Sequence, residues 1–316
     1  MEHEANPGES VLIVGLGALA TLFAARLGAA GHAVTMLGTW SEGLRALHDG
    51  GARLLESDGH ELRVPVTASD DPRACAGAKH ALVLVKSWQT ERAARQLLGC
   101  LRKDGLALTL QNGLGNREAL AIRLGTERVA LGSTTAGATL LGPGLAKAGG
   151  EGTISVEAHP RINPVRQALI RAGFRVEVGR DALALIWSKL VVNSAINPLT
   201  AILRVSNGQL LERPAARRLL HALAKETAAV AHAENADLAL ADPVQMVETV
   251  ATRTASNHSS MFQDVQRGAV TEIDAICGAI TRAGREHRIP TPMNEACWHL
   301  VQALTQTPAA APKPST

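Results

Sequence analysis

Two textures of hydrophobic patterning divide the chain. Over the first half, short apolar runs recur: VLIVG (Val11–Gly15), AVTML (Ala33–Leu37), HALVLV (His80–Val85), LALTL (Leu106–Leu110) and VALGS (Val129–Ser133). Runs so short and so continuously apolar suit strands buried on both faces, as in a parallel sheet. Segments of helical period separate several of them, including Leu19–Ala30 and Thr90–Leu101. That order predicts βαβ units and a doubly wound α/β sheet of Rossmann type. Strand-like pieces continue at TISVEA (Thr153–Ala158) and FRVEV (Phe174–Val178), on either side of a helix expected over Pro164–Ala172. Beyond about residue 180 the pattern turns helical, over Asp181–Leu203, Pro214–Asn235, Pro243–Gln266 and Thr271–His287. The expected organisation is a polar tail (1–9), a Rossmann domain (10–180), a mostly α-helical C-terminal domain (181–306) and a Pro/Ala-rich tail (307–316).

Composition narrows the chemistry. The 316 residues suffice for two domains, and 46% hydrophobic against 19% charged residues marks a folded, soluble chain. The net charge of +3 comes from interspersed residues without a basic stripe, so nucleic acid is not an expected partner. There is no tyrosine, which removes every mechanism that needs a phenol as acid or base. Cys75, Cys100, Cys277 and Cys297 are scattered without C-x-x-C spacing, so no metal site is expected and reduced thiols are. The longest apolar stretch, Val11–Ala25, is too short to span a bilayer. It follows acidic Glu2, Glu4 and Glu9 rather than the basic leader of a secretory signal. A cytoplasmic protein with no membrane partner is expected.

Gly15-Leu16-Gly17-Ala18-Leu19-Ala20 follows the first predicted strand and opens the first predicted helix. In a dinucleotide site the first glycine makes the turn and the second admits the pyrophosphate. A small third residue lets helix and strand pack closely, and the phosphates meet the free N–H groups of the helix. The second strand runs into Gly38-Thr39-Trp40-Ser41-Glu42, with neither an acid for a ribose 2′-hydroxyl nor an arginine for a 2′-phosphate at its tip. Arg45, Thr39 and Ser41 are the groups able to reach a phosphate there, unless they are only loop polars. The next two strands end in Lys86-Ser-Trp-Gln89 and Gln111-Asn112. Ligands of open α/β sheets sit beyond such strand ends.

The most informative stretch is WSKLVVNSAINPLTAI, from Trp187. Lys189, Asn193 and Asn197 stand at i, i+4 and i+8 and line one face of an otherwise apolar helix. A buried lysine is costly unless paired or used, and buried asparagines need partners. The stripe therefore reads as the wall of a polar pocket, or else as a hydrogen-bond network that fixes helix packing. A second constellation runs NHSSMFQDVQRGAVTEID from Asn257. Ser260 and Glu272 are twelve residues apart, about 18 Å along one continuous helix, so they share a ligand only if the helix breaks. Gly268 offers the break and Thr271 a helix cap; taken alone, Glu272 would be an ordinary first-turn acid.

Together GLGALA, LVKSWQT, LQNGLGN, WSKLVVNSAINPLTAI, SNGQL and NHSSMFQDVQRGAVTEID resemble the ketopantoate reductase family, the 2-dehydropantoate 2-reductases, through nearly all of residues 10–305. The resemblance implies NADPH-dependent reduction of 2-dehydropantoate to (R)-pantoate, on the route to pantothenate and coenzyme A. It implies Lys189 as proton donor to the ketone oxygen, Glu272 as a second catalytic residue, and both of them in contact with the substrate. Asn193, Asn197, Asn207, Asn257 and Ser260 are implied on the substrate side. Gly15, Leu16, Gly17, Ala18, Leu19, Ala20, Thr39, Lys86, Gln89, Asn112 and Ala138 are implied on the cofactor side. Better-known bacterial members carry an arginine where Thr39 stands. A preference for NADPH over NADH is thus expected, but a weaker one than in those relatives. The expected partner is a small 2-keto acid, and the chain could work as monomer or homodimer. Two other readings stay open: a related 2-keto acid or β-hydroxyacid dehydrogenase of the same architecture, and a non-catalytic dinucleotide sensor. A sensor has no need of a retained proton donor.

Overall fold

The computed structural model describes residues 10–179, 182–236, 238 and 242–306. Both expected tails lie outside the described residues. Contacts divide the chain into two units, one running to Leu185 and the other from Ile186.

The first unit holds, in chain order, β1 (Val11–Val14), α1 (Ala18–Ala29), β2 (Val34–Leu37), α2 (Ser41–Gly50), β3 (Ala52–Leu55), β4 (Glu61–Val64), β5 (Thr67–Ser69) and β6 (Ala78–Val83). There follow α3 (Thr90–Cys100), β7 (Leu101–Thr109), α4 (Asn116–Leu124), β8 (Val129–Thr134), β9 (Ala138–Gly142), β10 (Leu145–Ala148), β11 (Thr153–Glu157), α5 (Asn163–Arg171) and β12 (Arg175–Gly179). The main sheet has the order β12-β11-β8-β7-β6-β1-β2-β5. All its neighbouring pairs are parallel except β8–β11. This is the Rossmann-type α/β domain that the apolar runs predict. Every residue of β1 is buried, as strands covered on both faces require. From β1 the chain passes to β2 on one side and to β6 on the other, and a crevice forms at such a reversal of strand order.

A second sheet, β4-β3-β10-β9, is absent from the sequence reading. Its strands are short, and the apolar alternation in ARLL and LAKA is too brief to separate them from loops. Helix α1 packs against this sheet. Gly28 makes the approach possible, since a Cβ there would lie 2.9 Å from the Val64 side chain. On α1, Phe23 stacks on Phe174 with ring centroids 4.4 Å apart.

The second unit is helical: α6 (Ala182–Leu203), whose first residues still belong to the first unit, then α7 (Gln209–Glu212), α8 (Pro214–Ala233), α9 (Pro243–Arg253), α10 (Ser260–Gln266), α11 (Ala279–Glu286) and α12 (Pro292–Thr305). Two expectations need correction. Pro243–Gln266 is not one helix but α9 and α10, parted by Thr254–Ser259, where Thr, Ser and Asn side chains compete for backbone groups. Thr271 does not cap the next helix, which opens with a π turn at Asp274–Gly278 after Ile273. Helix α12 escaped the sequence reading although Pro292 sits in its first turn. Its start is fixed from a distance: Glu226 of α8 accepts from the amides of Met293 and Asn294 at 2.9 and 3.0 Å. Among the described residues no helix is long and apolar enough to cross a membrane.

Candidate active site

Gly15 adopts φ +137°, a conformation that L side chains rarely take, and a Cβ there would lie 3.2 Å from the Leu84 backbone. Its amide donates to the Leu37 carbonyl oxygen at 2.9 Å, which fastens the glycine turn to the tip of β2. Gly17 precedes α1, and no side chain caps that helix. A Cβ on Gly17 would meet no other part of the protein within 4 Å, so the space beside this glycine at the start of α1 is open. Ala20 is fully buried, as close packing of helix on strand requires. An open, uncapped helix start against a strand tip fits the pyrophosphate of a dinucleotide.

The strand-end loops beside it are tied together by a buried network that the sequence reading missed. Gln111 Nε2 donates to the Val85 carbonyl oxygen at 2.9 Å and to Thr90 Oγ1 at 2.8 Å. Thr90 Oγ1 in turn lies 2.8 Å from both Asn116 Oδ1 and the Ser87 carbonyl oxygen. Asn116 Nδ2 closes the ring by donating to the Asn112 carbonyl oxygen at 2.9 Å. The backbones that carry Lys86, Gln89 and Asn112 are thereby held as one piece. Thr39 is exposed just past β2, and Ala138 opens β9 shortly after β8 ends. A separate small cavity, lined by Val11, His32 and His80 among others, sits at the opposite, amino ends of β1 and β6. It is remote from the glycine turn.

In the second unit, α6 carries the polar stripe. Pro198 removes one helix hydrogen bond, and the Ser194 carbonyl oxygen it leaves faces Cys277 Sγ at 4.0 Å. Lys189 is half-buried by exposed area, but its ammonium is closely surrounded by protein. That lost hydration lowers its pKa to about 8, while the Glu272 charge acts in the opposite direction. Glu272 is itself buried, on the segment after the break at Gly268, whose φ is +63°. The break that the Ser260–Glu272 spacing demands is therefore present.

At the other end of the stripe, Thr200 Oγ1 and Ser259 Oγ are 2.7 Å apart and buried. Ser259 caps α10 by accepting from the Phe262 amide at 3.1 Å, so the Asn257–Ser260 turn is pinned to α6. Asn207 docks on the same segment through its amide, 3.0 Å from the Asn257 carbonyl oxygen. Gly208 must lack a side chain, since a Cβ would lie 2.6 Å from that of Ala255. Asn197 and Asn207 are buried, Asn193 is half-buried, and Asn257 and Ser260 are exposed. The structure thus gathers Lys189 with Glu272, and the end of the stripe with Asn207, Asn257 and Ser260. Thr200 and Ser259, which hold the second group, went unrecognised. A threonine two residues after a mid-helix proline and a serine two residues before a buried Met-Phe pair were the available signals.

The Asn207 side chain has one further property. Thr254 Oγ1 donates to the Val250 carbonyl oxygen at 2.7 Å, so toward Asn207 it can only accept. Asn207 therefore presents its Nδ2, at 2.9 Å, and its Oδ1 is left buried without a partner. A buried acceptor in that state is a demand for a donor.

Comparison with known proteins gives a consistent picture. The profile described as "Ketopantoate reductase PanE/ApbA" matches residues 11–161, and that described as "Ketopantoate reductase PanE/ApbA C terminal" matches 181–305. A protein of Halobacterium salinarum named 2-dehydropantoate 2-reductase is 35% identical over 92% of this chain and 97% of its own. The crystal structure of a ketopantoate reductase family protein from Ralstonia eutropha superposes with TM-score 0.86 at 32% identity, covering 94% of this chain and 98% of that one. The ternary structure of D-mandelate dehydrogenase with NADH and anilino(oxo)acetate has TM-score 0.88 at 24% identity, over 94% and 98% of the two chains. That last likeness is one of fold.

Proposed function

The chain belongs to the ketopantoate reductase family, and from that premise we propose that it reduces 2-dehydropantoate to (R)-pantoate with NADPH, in the supply of pantothenate and coenzyme A. The nicotinamide, when bound, supplies the hydride to C2 of the ketone. Gly15 to Ala20 would hold the pyrophosphate, with Thr39, Lys86, Gln89, Asn112 and Ala138 as further cofactor contacts.

The observation that carries the reading is Lys189, desolvated yet kept cationic near neutral pH beside buried Glu272. Negative charge grows on the ketone oxygen as the carbon is reduced. An ammonium aimed at that oxygen stabilises the charge and then delivers its proton. A pKa of about 8 makes Lys189 a stronger acid than an ordinary lysine while leaving it mostly protonated at pH 7. Electrostatic contributions of this kind are worth about 3 kcal/mol of barrier. Asn193, Asn197, Asn257 and Ser260 supply neutral hydrogen bonds for the carboxylate and the rest of a short polar acid.

Asn207 favours a hydroxylated substrate. Its Oδ1 lies beneath the protein surface without a donor, and the 4-hydroxyl of 2-dehydropantoate would supply one once a shift of the side chain opens it to the substrate. An aryl keto acid of the mandelate type has no such group and gains nothing from the acceptor. The test is NADPH oxidation at 340 nm with 2-dehydropantoate, followed by chiral chromatography of the product. Stoichiometric (R)-pantoate is expected. No oxidation, or the S enantiomer, overturns the reading.

A further inference from the structure

The tip of β2 is the place where a Rossmann fold distinguishes a ribose 2′-hydroxyl from a 2′-phosphate. Here the tip is bonded to the glycine turn through Gly15 and Leu37. Leu16 reinforces the junction, because a Cβ on Gly38 would come within 2.5 Å of its side chain. The next residues are exposed Thr39, half-buried Trp40 and then Ser41, which starts the ten-residue α2. The first turn of α2 holds exposed Glu42. Ser41 Oγ donates to Glu42 Oε2 at 3.3 Å. Its own backbone amide, the Ser41 hydroxyl, the Arg45 charge and Trp40 all hold the Glu42 carboxyl below the usual carboxylate range. The carboxylate therefore takes the Ser41 hydroxyl and its own amide in the first turn of α2 and lies in the field of Arg45, groups that a phosphate at this strand tip would also use.

We propose that Glu42 is a specificity-determining residue for the cofactor, which narrows the preference for NADPH by competing with the 2′-phosphate for α2, Ser41 and Arg45. This rests on the cofactor reading above but not on the identity of the keto acid. The missing arginine at Thr39 is then only one of two features that would weaken such a preference. A carboxylate five residues beyond the last residue of β2 is the other, and it acts by repulsion as well as by occupancy. With NADH the same carboxylate meets no 2′-phosphate and can accept from the ribose hydroxyls.

The experiment is calorimetric titration of wild type and Glu42→Gln with NADP+ and with NAD+, without substrate, at low salt and at about 0.5 M salt. The substitution keeps the size of an exposed side chain and removes its charge. NADP+ is expected to bind about 3- to 10-fold tighter in Glu42→Gln, with NAD+ unchanged or weakened. The gain should shrink at high salt, because the charges involved are exposed. In an Arg45→Ala background most of the gain should disappear, since the released guanidinium contributes to it. An unchanged NADP+ to NAD+ affinity ratio in a variant that binds cofactor overturns the proposal and leaves the cofactor reading standing. Failure of wild type to bind either dinucleotide overturns both.

Discussion

Glu272, buried beyond the break after α10, opposes the effect of burial on Lys189 of α6 and helps hold it cationic near neutral pH. The sign of the pH dependence follows. A proton donor must be protonated, so kcat/KM for reduction should be flat below pH 7 and fall as pH rises through about 8. Glu272→Gln removes the interaction that raises the lysine's pKa, and the fall should move to lower pH. The measurement is the pH profile of kcat/KM for both proteins; coincident alkaline limbs would separate Glu272 from Lys189.

Lys189→Ala should lower kcat by orders of magnitude while dinucleotide affinity stays within a few-fold, because the lysine acts on charge that develops in the transition state. Turnover at 340 nm and cofactor titration of the same preparation check this together. A folded variant with unimpaired turnover would remove the proton donor from the account.

Asn207→Ala deletes the unpaired acceptor and also removes the donor to Thr254 Oγ1. The loss in kcat/KM for 2-dehydropantoate should be about 5- to 100-fold, the range for a hydrogen bond to a substrate hydroxyl. For 3,3-dimethyl-2-oxobutanoate, which differs only by lacking the hydroxyl, the loss should be distinctly smaller. Equal losses on both keto acids would mean that Asn207 serves the fold of the 254–260 segment and not the substrate.

Thr39→Arg should raise the ratio of kcat/KM for NADPH over NADH, since a guanidinium adds charge-assisted hydrogen bonds to a 2′-phosphate. No change in that ratio would show that position 39 faces away from the adenosine ribose.

The sequence made the main sheet legible because its central strands are buried on both faces and so read as unbroken apolar runs, as β1 does throughout. It concealed the small sheet, whose β3 and β10 are only half-buried in alternation. The substrate side was legible where period and chemistry coincide, in Lys189, Asn193 and Asn197 on one helical face. Residues that act by long-range pairing were not. Thr200 meets Ser259 across 59 positions, and Thr90, Gln111 and Asn116 meet across 21 and 26. No local pattern encodes such partners. The interruption at Thr254–Ser259 was legible in principle, since no large apolar residue stands between Val250 and Met261 and Asn257 and Ser259 carry turn chemistry.

The most direct test of the account sets two substrates against each other on one enzyme preparation: kcat/KM with NADPH for 2-dehydropantoate and for benzoylformate, the keto acid of mandelate. Lys189 serves the ketone oxygen of either acid, so the Asn207 acceptor alone predicts a preference for 2-dehydropantoate of at least about tenfold. A preference for benzoylformate would contradict the assignment and place the chain among reductases of aryl keto acids.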